Sequence, residues 1–172
     1  MTNGDLNFAA VFRKGGLEIK PLVQNILEGR DLANALHSRA RTPVEWLIPV
    51  LAITGNTKRT EKFDIDLQWF DELGQMPFRP PNVAGWPLDQ RWLSAGQMLT
   101  RTNLLVRLPL AKPVIDRVDP SVDAVLAHCG LYDVSPTTRA AMQRAIDTQT
   151  EFAEGLELLI TLALLSPEFS LL

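Results

Sequence analysis

Polar and aromatic side chains that could recognise a ligand cluster around a proline-rich stretch in the middle of the sequence. Four prolines lie in the stretch from Gln75 to Pro87, and prolines reduce the entropy that a loop loses when it becomes ordered. Trp and Arg are the residues that most often dominate the energy of a binding interface. Six side chains in this stretch and in the segment after it are the candidate binding residues: Arg79, Asn82, Trp86, Trp92, Arg101 and Asn103.

A structural role is the alternative for the residues of the loop. Phe78, Trp86 and Trp92 could fill the core, while Arg79 and Asn82 could bond loop carbonyl groups that have no helix partner. The pattern favours this structural role, and the binding role stays open beside it.

Arg101 and Asn103 belong to the predicted helix that follows the loop. Residues two positions apart on a helix do not share a face, so a joint catalytic role would require the loop to fold over both side chains. We therefore expect Arg101 to form a hydrogen bond with the loop.

Acidic residues between positions 64 and 72 could suggest a site for a divalent cation, because hard cations prefer carboxylate oxygens. Their spacing argues against such a site, since residues two apart on a helix point to nearly opposite sides and no glycine-bearing ligand loop follows. We interpret them as a solvated acidic turn, and we predict no metal site. The residues concerned are Asp64, Asp66, Asp71 and Glu72.

Histidine and cysteine, the residues most often used in catalysis and metal binding, are rare in this chain. Neither His37 nor His128 has the partner four residues away that a zinc-binding helix needs, so each is expected on the surface or in the last turn of a helix. Cys129 is the single cysteine, and its side chain should point away from that of His128. There is also no nucleophile-elbow serine and no glycine-rich phosphate loop. We predict no catalytic residue and no cofactor.

Composition and charge exclude several classes of protein. With 172 residues and 46% hydrophobic content the chain can build one core, and we expect a single helical domain over residues 1–172. The 20 acidic and 17 basic residues give a net charge of −3 without a basic block, which argues against a nucleic-acid partner. The longest apolar stretches are shorter than the ~20 residues of a membrane span. Since no export signal is visible either, this sequence alone predicts a soluble, cytoplasmic protein.

Apolar residues recur at helical spacing along nearly the whole chain, and no stretch alternates with period two for long enough to form a strand. The predicted class is all-α, a compact bundle of about seven helices. Residues 74–93 form one long proline-rich loop, because prolines exclude both regular helix and central strand. The helix after Thr42 and the helix from about Glu151 to Ser166 should form the core, with Phe152 buried.

Capping residues, a glycine and a proline predict where several helices begin, end or bend. Gly29 should close the helix over 17–28 in the left-handed conformation. Pro49 removes a hydrogen bond inside the helix after Thr42 and predicts a kink or a break there. The predicted starts are two capping boxes, Thr42-Pro43-Val44-Glu45 and Ser94-Ala95-Gly96-Gln97, and two caps followed by proline, Asp119-Pro120 and Ser135-Pro136.

Three segments of the chain form a combined signature: RTPVEWLIPVLAITG at 41–55, LGQMPFRPPNVAGWP at 73–87 and LLSPEFSLL at 164–172. Trp92-Leu93-Ser94, Arg101 and Asn103 follow the second segment. Together they resemble the bacterial family called domain of unknown function 1800 (DUF1800), and the resemblance covers nearly the whole chain. Pro49 is a departure, because the corresponding helix of the family is usually uninterrupted.

Members of that family are considerably longer, so the resemblance implies that this chain corresponds to a C-terminal portion. The family has no established activity, and the resemblance therefore assigns no role to any residue. Many relatives look exported, and many of their genes lie beside one for a sulfatase-like protein. The resemblance thus implies a periplasmic or envelope setting and a protein partner.

Two hypotheses about function follow. The leading one is a helical binding or scaffolding module that docks on a protein partner or on a missing N-terminal half, which would cover apolar helix faces that the chain leaves exposed; a homo-oligomer would cover them too. The alternative is an envelope-associated enzyme, a hydrolase, with a pocket under the loop beside a carboxylate such as Asp71 or Asp89. The other residues of that pocket would be Arg79, Asn82, Trp86 and Arg101.

Overall fold

A computed structural model describes residues 8–29, 39–57, 67–87 and 90–172. These ranges contain ten α-helices, one 3-10 helix and no strand, which confirms the all-α class. The helices outnumber the expected seven mainly because short ones, such as Lys112–Ile115 and Pro167–Ser170, carry too few residues for a periodic pattern. The chain divides into two compact units, residues 1–38 and 39–172. The single domain over residues 1–172 stays a prediction.

The described residues of the first unit, 8–29, form two helices, α1 (Phe8–Lys14) and α2 (Ile19–Glu28). The chain turns between them with Gly16 and Leu17 at φ of 69° and 65°. Gly29 was expected to close α2 in the left-handed conformation, and this prediction is wrong: its φ of −71° and ψ of 139° are extended. Its N–H donates to the carbonyl of Ile26, so the chain leaves the helix without a left-handed residue.

The second unit contains the remaining helices, which include the two predicted core helices. In chain order they are α3 (Pro43–Ile53), α4 (Gln68–Glu72), the 3-10 helix Gln90–Leu93, α5 (Ala95–Arg107), α6 (Lys112–Ile115), α7 (Val122–His128), α8 (Pro136–Ile146), α9 (Phe152–Leu165) and α10 (Pro167–Ser170).

The core of the second unit forms around α3 and α9, as predicted from their hydrophobicity. Trp46 of α3 and Leu159 of α9 are fully buried, and the indole Nε1 of Trp46 donates to the carbonyl of Leu164 at 3.1 Å. Helix α9 also contacts α5, α7, α8 and α10. Phe152 was expected in the core but is 53% exposed, because it lies at the first position of α9, before the helix enters the core.

The capping box at Thr42 is confirmed. The Thr42 hydroxyl accepts from the backbone N–H of Glu45 at 3.4 Å, and the Glu45 carboxylate accepts from the N–H of Thr42 at 2.9 Å. Only half of the second box forms: Ser94 accepts from the N–H of Gln97, but the Gln97 side chain donates to the carbonyl of Leu73 instead of returning to Ser94. The Gln97 side chain therefore bonds a distant carbonyl group and does not accept from the N–H of Ser94.

The start predicted at Asp119-Pro120 is wrong by two residues. Helix α7 begins at Val122 and is capped by Ser121, whose hydroxyl accepts from the N–H of Ala124 at 3.4 Å. The carbonyl of Asp119 accepts from the N–H of Ser121, so Asp119 and Pro120 form the turn before the helix. The start at Ser135-Pro136 is confirmed, since Ser135 caps α8.

Pro49 does not break α3, which runs without interruption from Pro43 to Ile53. A proline inside a helix removes one backbone hydrogen bond. The buried side chains on both sides of it, Trp46, Leu47, Val50 and Leu51, hold the two halves of the helix in the core. Tertiary packing has therefore outweighed the local cost.

The beginning and the end of the second unit pair with each other. Ala40 and Leu171 form an isolated antiparallel bridge. The N–H of Arg41 donates to the carbonyl of Ser170 at 2.9 Å, and the N–H of Leu172 donates to the carbonyl of Arg39 at 2.7 Å. This end pairing holds Arg41 against the ring of Phe169, with the guanidinium carbon 4.7 Å from the ring centroid.

Two glycines of the second unit should respond to alanine in opposite directions. Gly55 has a φ of +80°, and a Cβ there would lie 2.7 Å from the Cβ of Ala111, so Gly55→Ala should lower the free energy of unfolding by about 1–3 kcal/mol. Gly96 lies in α5 with no atom within 4 Å of an added Cβ, so Gly96→Ala should raise it by about 0.5 kcal/mol. Urea unfolding followed by circular dichroism measures both, and equal effects would contradict this account.

Candidate functional site

A groove of about 690 Å³ lies between the start of α3 and the proline-rich loop. We call it the loop groove. Its apolar walls are formed by Val44, Pro77, Phe78, Pro80 and Trp86. Its polar rim is formed by Arg39, Thr42, Glu45 and Gln75.

The proline-rich loop is fixed at both ends of the groove. At one end, the side-chain oxygen of Gln75 accepts from the backbone N–H of Val44 at 3.0 Å, which satisfies one of the free N–H groups in the first turn of α3. At the other end, Trp92 is buried and its indole N–H donates to the carbonyl of Pro87 at 2.7 Å. Asn82 accepts from the N–H of Ala84 and stabilises a turn at the tip. These bonds anchor the loop beside the first turn of α3 and close to the 3-10 helix.

Phe78 is the exception among the loop aromatics. It was expected to fill the core, but its side chain is 98% exposed, so this expectation is wrong. Its backbone is left-handed, with φ of 63°, a conformation that costs a residue other than glycine about 1–3 kcal/mol and that concentrates at binding sites. Trp92 does fill the core at 4% exposure. The direction of the backbone at Phe78 thus turns an aromatic ring out to solvent at the groove.

An ion pair occupies the polar rim of the loop groove. Both guanidinium nitrogens at the end of Arg39 donate to the two carboxylate oxygens of Glu45, each at 2.8 Å. These bonds, assisted by the backbone N–H and hydroxyl of Thr42 and opposed by partial burial, lower the pKa of Glu45 to about 2. The rim therefore carries no net charge at neutral pH.

Arg101 lies behind the start of α3 and is completely buried. The expectation that it bonds the loop is wrong: its Nη2 donates to the backbone carbonyl of Arg41 at 3.1 Å. Its guanidinium carbon lies 5.1 Å from the ring centroid of Trp46. Burial, followed by the positive charge of Arg41, lowers the pKa of Arg101 to about 10, so it stays cationic at neutral pH.

Arg41 was not identified from the sequence. Its pKa is lowered, mainly by burial, although the charge of Glu45 opposes the shift. The residue pairs with Arg101 through tertiary structure alone, since the two are separated by 60 positions. The only local signal is its position directly before the cap of α3.

The structure does not bring the six candidate binding residues together. Trp86 lines the loop groove, Trp92 and Arg101 are buried, and the other three are exposed outside its lining: Arg79, Asn82 and Asn103. The pocket considered for a hydrolase is therefore not assembled from the residues expected to form it. Of the two carboxylates considered for it, Asp71 is exposed and Asp89 lies outside the described residues.

No three His, Cys, Asp or Glu side chains come together to hold a metal ion in the described part of the chain. Asp64, Asp66 and His37 lie outside that part. His128 lies at the end of α7, as predicted, and its ring Nε2 is 2.8 Å from the carbonyl oxygen of Ile53. Burial raises the pKa of the Cys129 thiol to about 12, so at neutral pH it is not a thiolate nucleophile.

Within the described ranges, every helix is too short or too polar to cross a membrane. The fold and groove together define an all-α protein with a proline-rich loop fixed across the first turn of its central helix. The model of one protein family, described as protein of unknown function (DUF1800), matches residues 6–171, and the chain belongs to that family. No curated protein and no solved structure matches the chain.

The ion pair on the rim of the groove should make stability depend on acid. Because the pKa of Glu45 is depressed in the folded state, to about 2, its contribution is fully present above the unfolded value and is lost as the pH falls from about 4.5 towards 2. Glu45→Gln should therefore lower the melting temperature at pH 6 and flatten its decline below pH 4.5. Since both side chains are partly exposed, the effect should stay below about 1 kcal/mol.

The exposed Glu157 of α9 supplies a matched control. Thermal unfolding of Glu157→Gln should retain the acid dependence of the unmodified protein. If Glu45→Gln also retained it in full, the ion pair would not be the source of the acid dependence.

Proposed function

We propose that this chain is a helical binding module that docks on a protein partner through the loop groove. The observation that carries the proposal is the exposure of Phe78, whose ring is 98% accessible on a strained, left-handed backbone beside an apolar groove. Because the ring of Phe78 lies outside the core, a partner can cover it without breaking packing contacts of the free protein. Exposed apolar patches of this kind commonly mark interaction sites.

The chemistry of the groove favours an extended, mainly apolar protein segment as the ligand. Val44, Pro77 and Trp86 offer apolar walls, and a volume of about 690 Å³ suits the side chains of a short segment rather than a whole helix. The polar rim is neutralised by the ion pair between Arg39 and Glu45. A strongly charged segment would therefore find no complementary charge there.

The fixed loop supports tight docking without a large ordering cost. Its prolines, the bond from Val44 to Gln75 and the buried Trp92 hold the groove in shape before any ligand arrives. Pre-organisation reduces the conformational entropy that association must overcome. The partner would be another protein or another portion of a longer family protein.

The proposal predicts that changing Phe78 removes ligand binding. A library of random peptides selected on the immobilised protein should enrich extended apolar sequences, and Phe78→Ser should weaken the best of them by at least about tenfold because an interface aromatic is lost. Fluorescence anisotropy of a labelled peptide measures the affinity. Circular dichroism should show unchanged folding, since the ring packs against little of the core.

Tyr132→Ser supplies the control, because Tyr132 is 84% exposed outside the groove. Peptide binding should survive this change. The proposal fails if selection yields no peptide, or if the selected peptides bind Phe78→Ser and the unmodified protein equally.

A further inference from the structure

We propose that Arg101 and Arg41 form an internal binding site for a carboxylate group, separate from the loop groove. The site is defined by the completely buried guanidinium of Arg101 with its unused donors, by Arg41, whose backbone carbonyl accepts from that guanidinium, and by the buried hydroxyl of Ser170, whose backbone carbonyl accepts from the N–H of Arg41. The occupant is a carboxylate of small size, because the Arg101 side chain that would bind it is completely buried. It could belong to a small organic acid or to an acidic side chain of another protein.

The donors of Arg101 are the first observation. A guanidinium carries five N–H donors, and among the described residues only Nη2 has a hydrogen-bond partner, the carbonyl of Arg41. Nε and Nη1 are buried without any partner. Buried polar groups in native proteins are almost always hydrogen bonded, and an unsatisfied charged donor is among the most costly exceptions.

Trp46 does not supply an acceptor for the unpaired donors of Arg101. Its ring stabilises the positive charge of Arg101 through the cation–π contact at 5.1 Å. An indole has a donor N–H and no acceptor in its plane, and here that N–H already donates to the carbonyl of Leu164. The free N–H groups of Arg101 therefore still require an acceptor.

The charge around Arg101 is the second observation. Burial and the like charge of Arg41 both lower the pKa of Arg101, and no described carboxylate raises it. Arg41 has its guanidinium over the ring of Phe169 and a long contact of 3.5 Å from its Nε to the carbonyl of Leu171. Arg41 has the charge of Glu45 nearby, but Arg101 has no described acidic partner, and a buried cation without one attracts an anion.

A further unpaired donor belongs to Ser170, the residue whose backbone pairs with that of Arg41. The hydroxyl of Ser170 is buried and has no hydrogen-bond partner, and the backbone carbonyl of Ser170 accepts from the N–H of Arg41. A hydroxyl can also donate to an anion, although more weakly than a charged guanidinium. Because guanidinium donors match the planar geometry of a carboxylate, a carboxylate suits this set better than a spherical halide. We expect it to enter beside Arg41, the partly exposed member.

Titration with sodium acetate against sodium chloride at constant ionic strength and pH 7 tests the site. The Nε–H resonance of Arg101 in a nitrogen–proton NMR spectrum should shift saturably with acetate and not with chloride. The melting temperature should rise in parallel. A capped tripeptide with a central Asp, titrated in the same way, distinguishes the two sources, since the tighter of the two ligands identifies the natural kind of carboxylate.

Arg101→Lys assigns the resonance and keeps the charge but loses the planar donor geometry, so acetate should raise its melting temperature only at about tenfold higher concentration. Arg107→Lys on the same helix is the matched control and should respond like the unmodified protein, because Arg107 is exposed and already bonds Glu72. Phe78→Ser should leave the acetate response unchanged, which separates this site from the loop groove.

The inference is overturned if neither acetate nor the tripeptide shifts the Arg101 resonance saturably, because water alone would then satisfy its donors. It is also overturned if Arg101→Lys keeps the full melting response to acetate. Should Arg101→Lys fail to fold, the resonance shift in the unmodified protein decides the question by itself.

Discussion

The first turn of α3 is the constraint on which the rest of the second unit depends. A helix begins with free backbone N–H groups that must find acceptors, and here they find them in the turn itself and in the proline-rich loop. The Thr42 hydroxyl accepts from the N–H of Glu45, and the Glu45 carboxylate accepts from the N–H of Thr42. The same carboxylate also binds Arg39. The Gln75 side chain accepts from the N–H of Val44 and thereby anchors the loop. One local requirement of helix geometry thus anchors the loop, the ion pair and the central helix together.

Two places of different character lie on either side of this turn. On one side the loop groove is open, largely apolar and fixed in shape by prolines. On the other side Arg101 bonds the carbonyl of Arg41, just before the cap, and is closed off from solvent. An open groove can exchange ligands without moving the core, whereas an enclosed cation needs local opening before anything reaches it.

Sequence patterns captured the features that depend on neighbouring residues. The capping box at Thr42 and the core position of α9 are local or periodic signals, and both were predictable. The outward direction of Phe78 was not, because no residue pattern announces a left-handed backbone outside glycine. The surroundings of Arg101 were hidden for another reason: its acceptor, Arg41, is distant in sequence and the bond uses a backbone carbonyl that has no sequence signature.

The pairing of the two ends of the second unit has a mechanical consequence. Arg39 and Leu172 lie side by side, with the bond from Arg41 to Ser170 next along the ladder. A force that pulls Arg39 and Leu172 apart would break these hydrogen bonds one after another, because it acts first on the pair at the end of the ladder. Such an arrangement yields at low force. The end pairing and the contact between Arg41 and Phe169 would separate before any force acted on the buried leucines of α9.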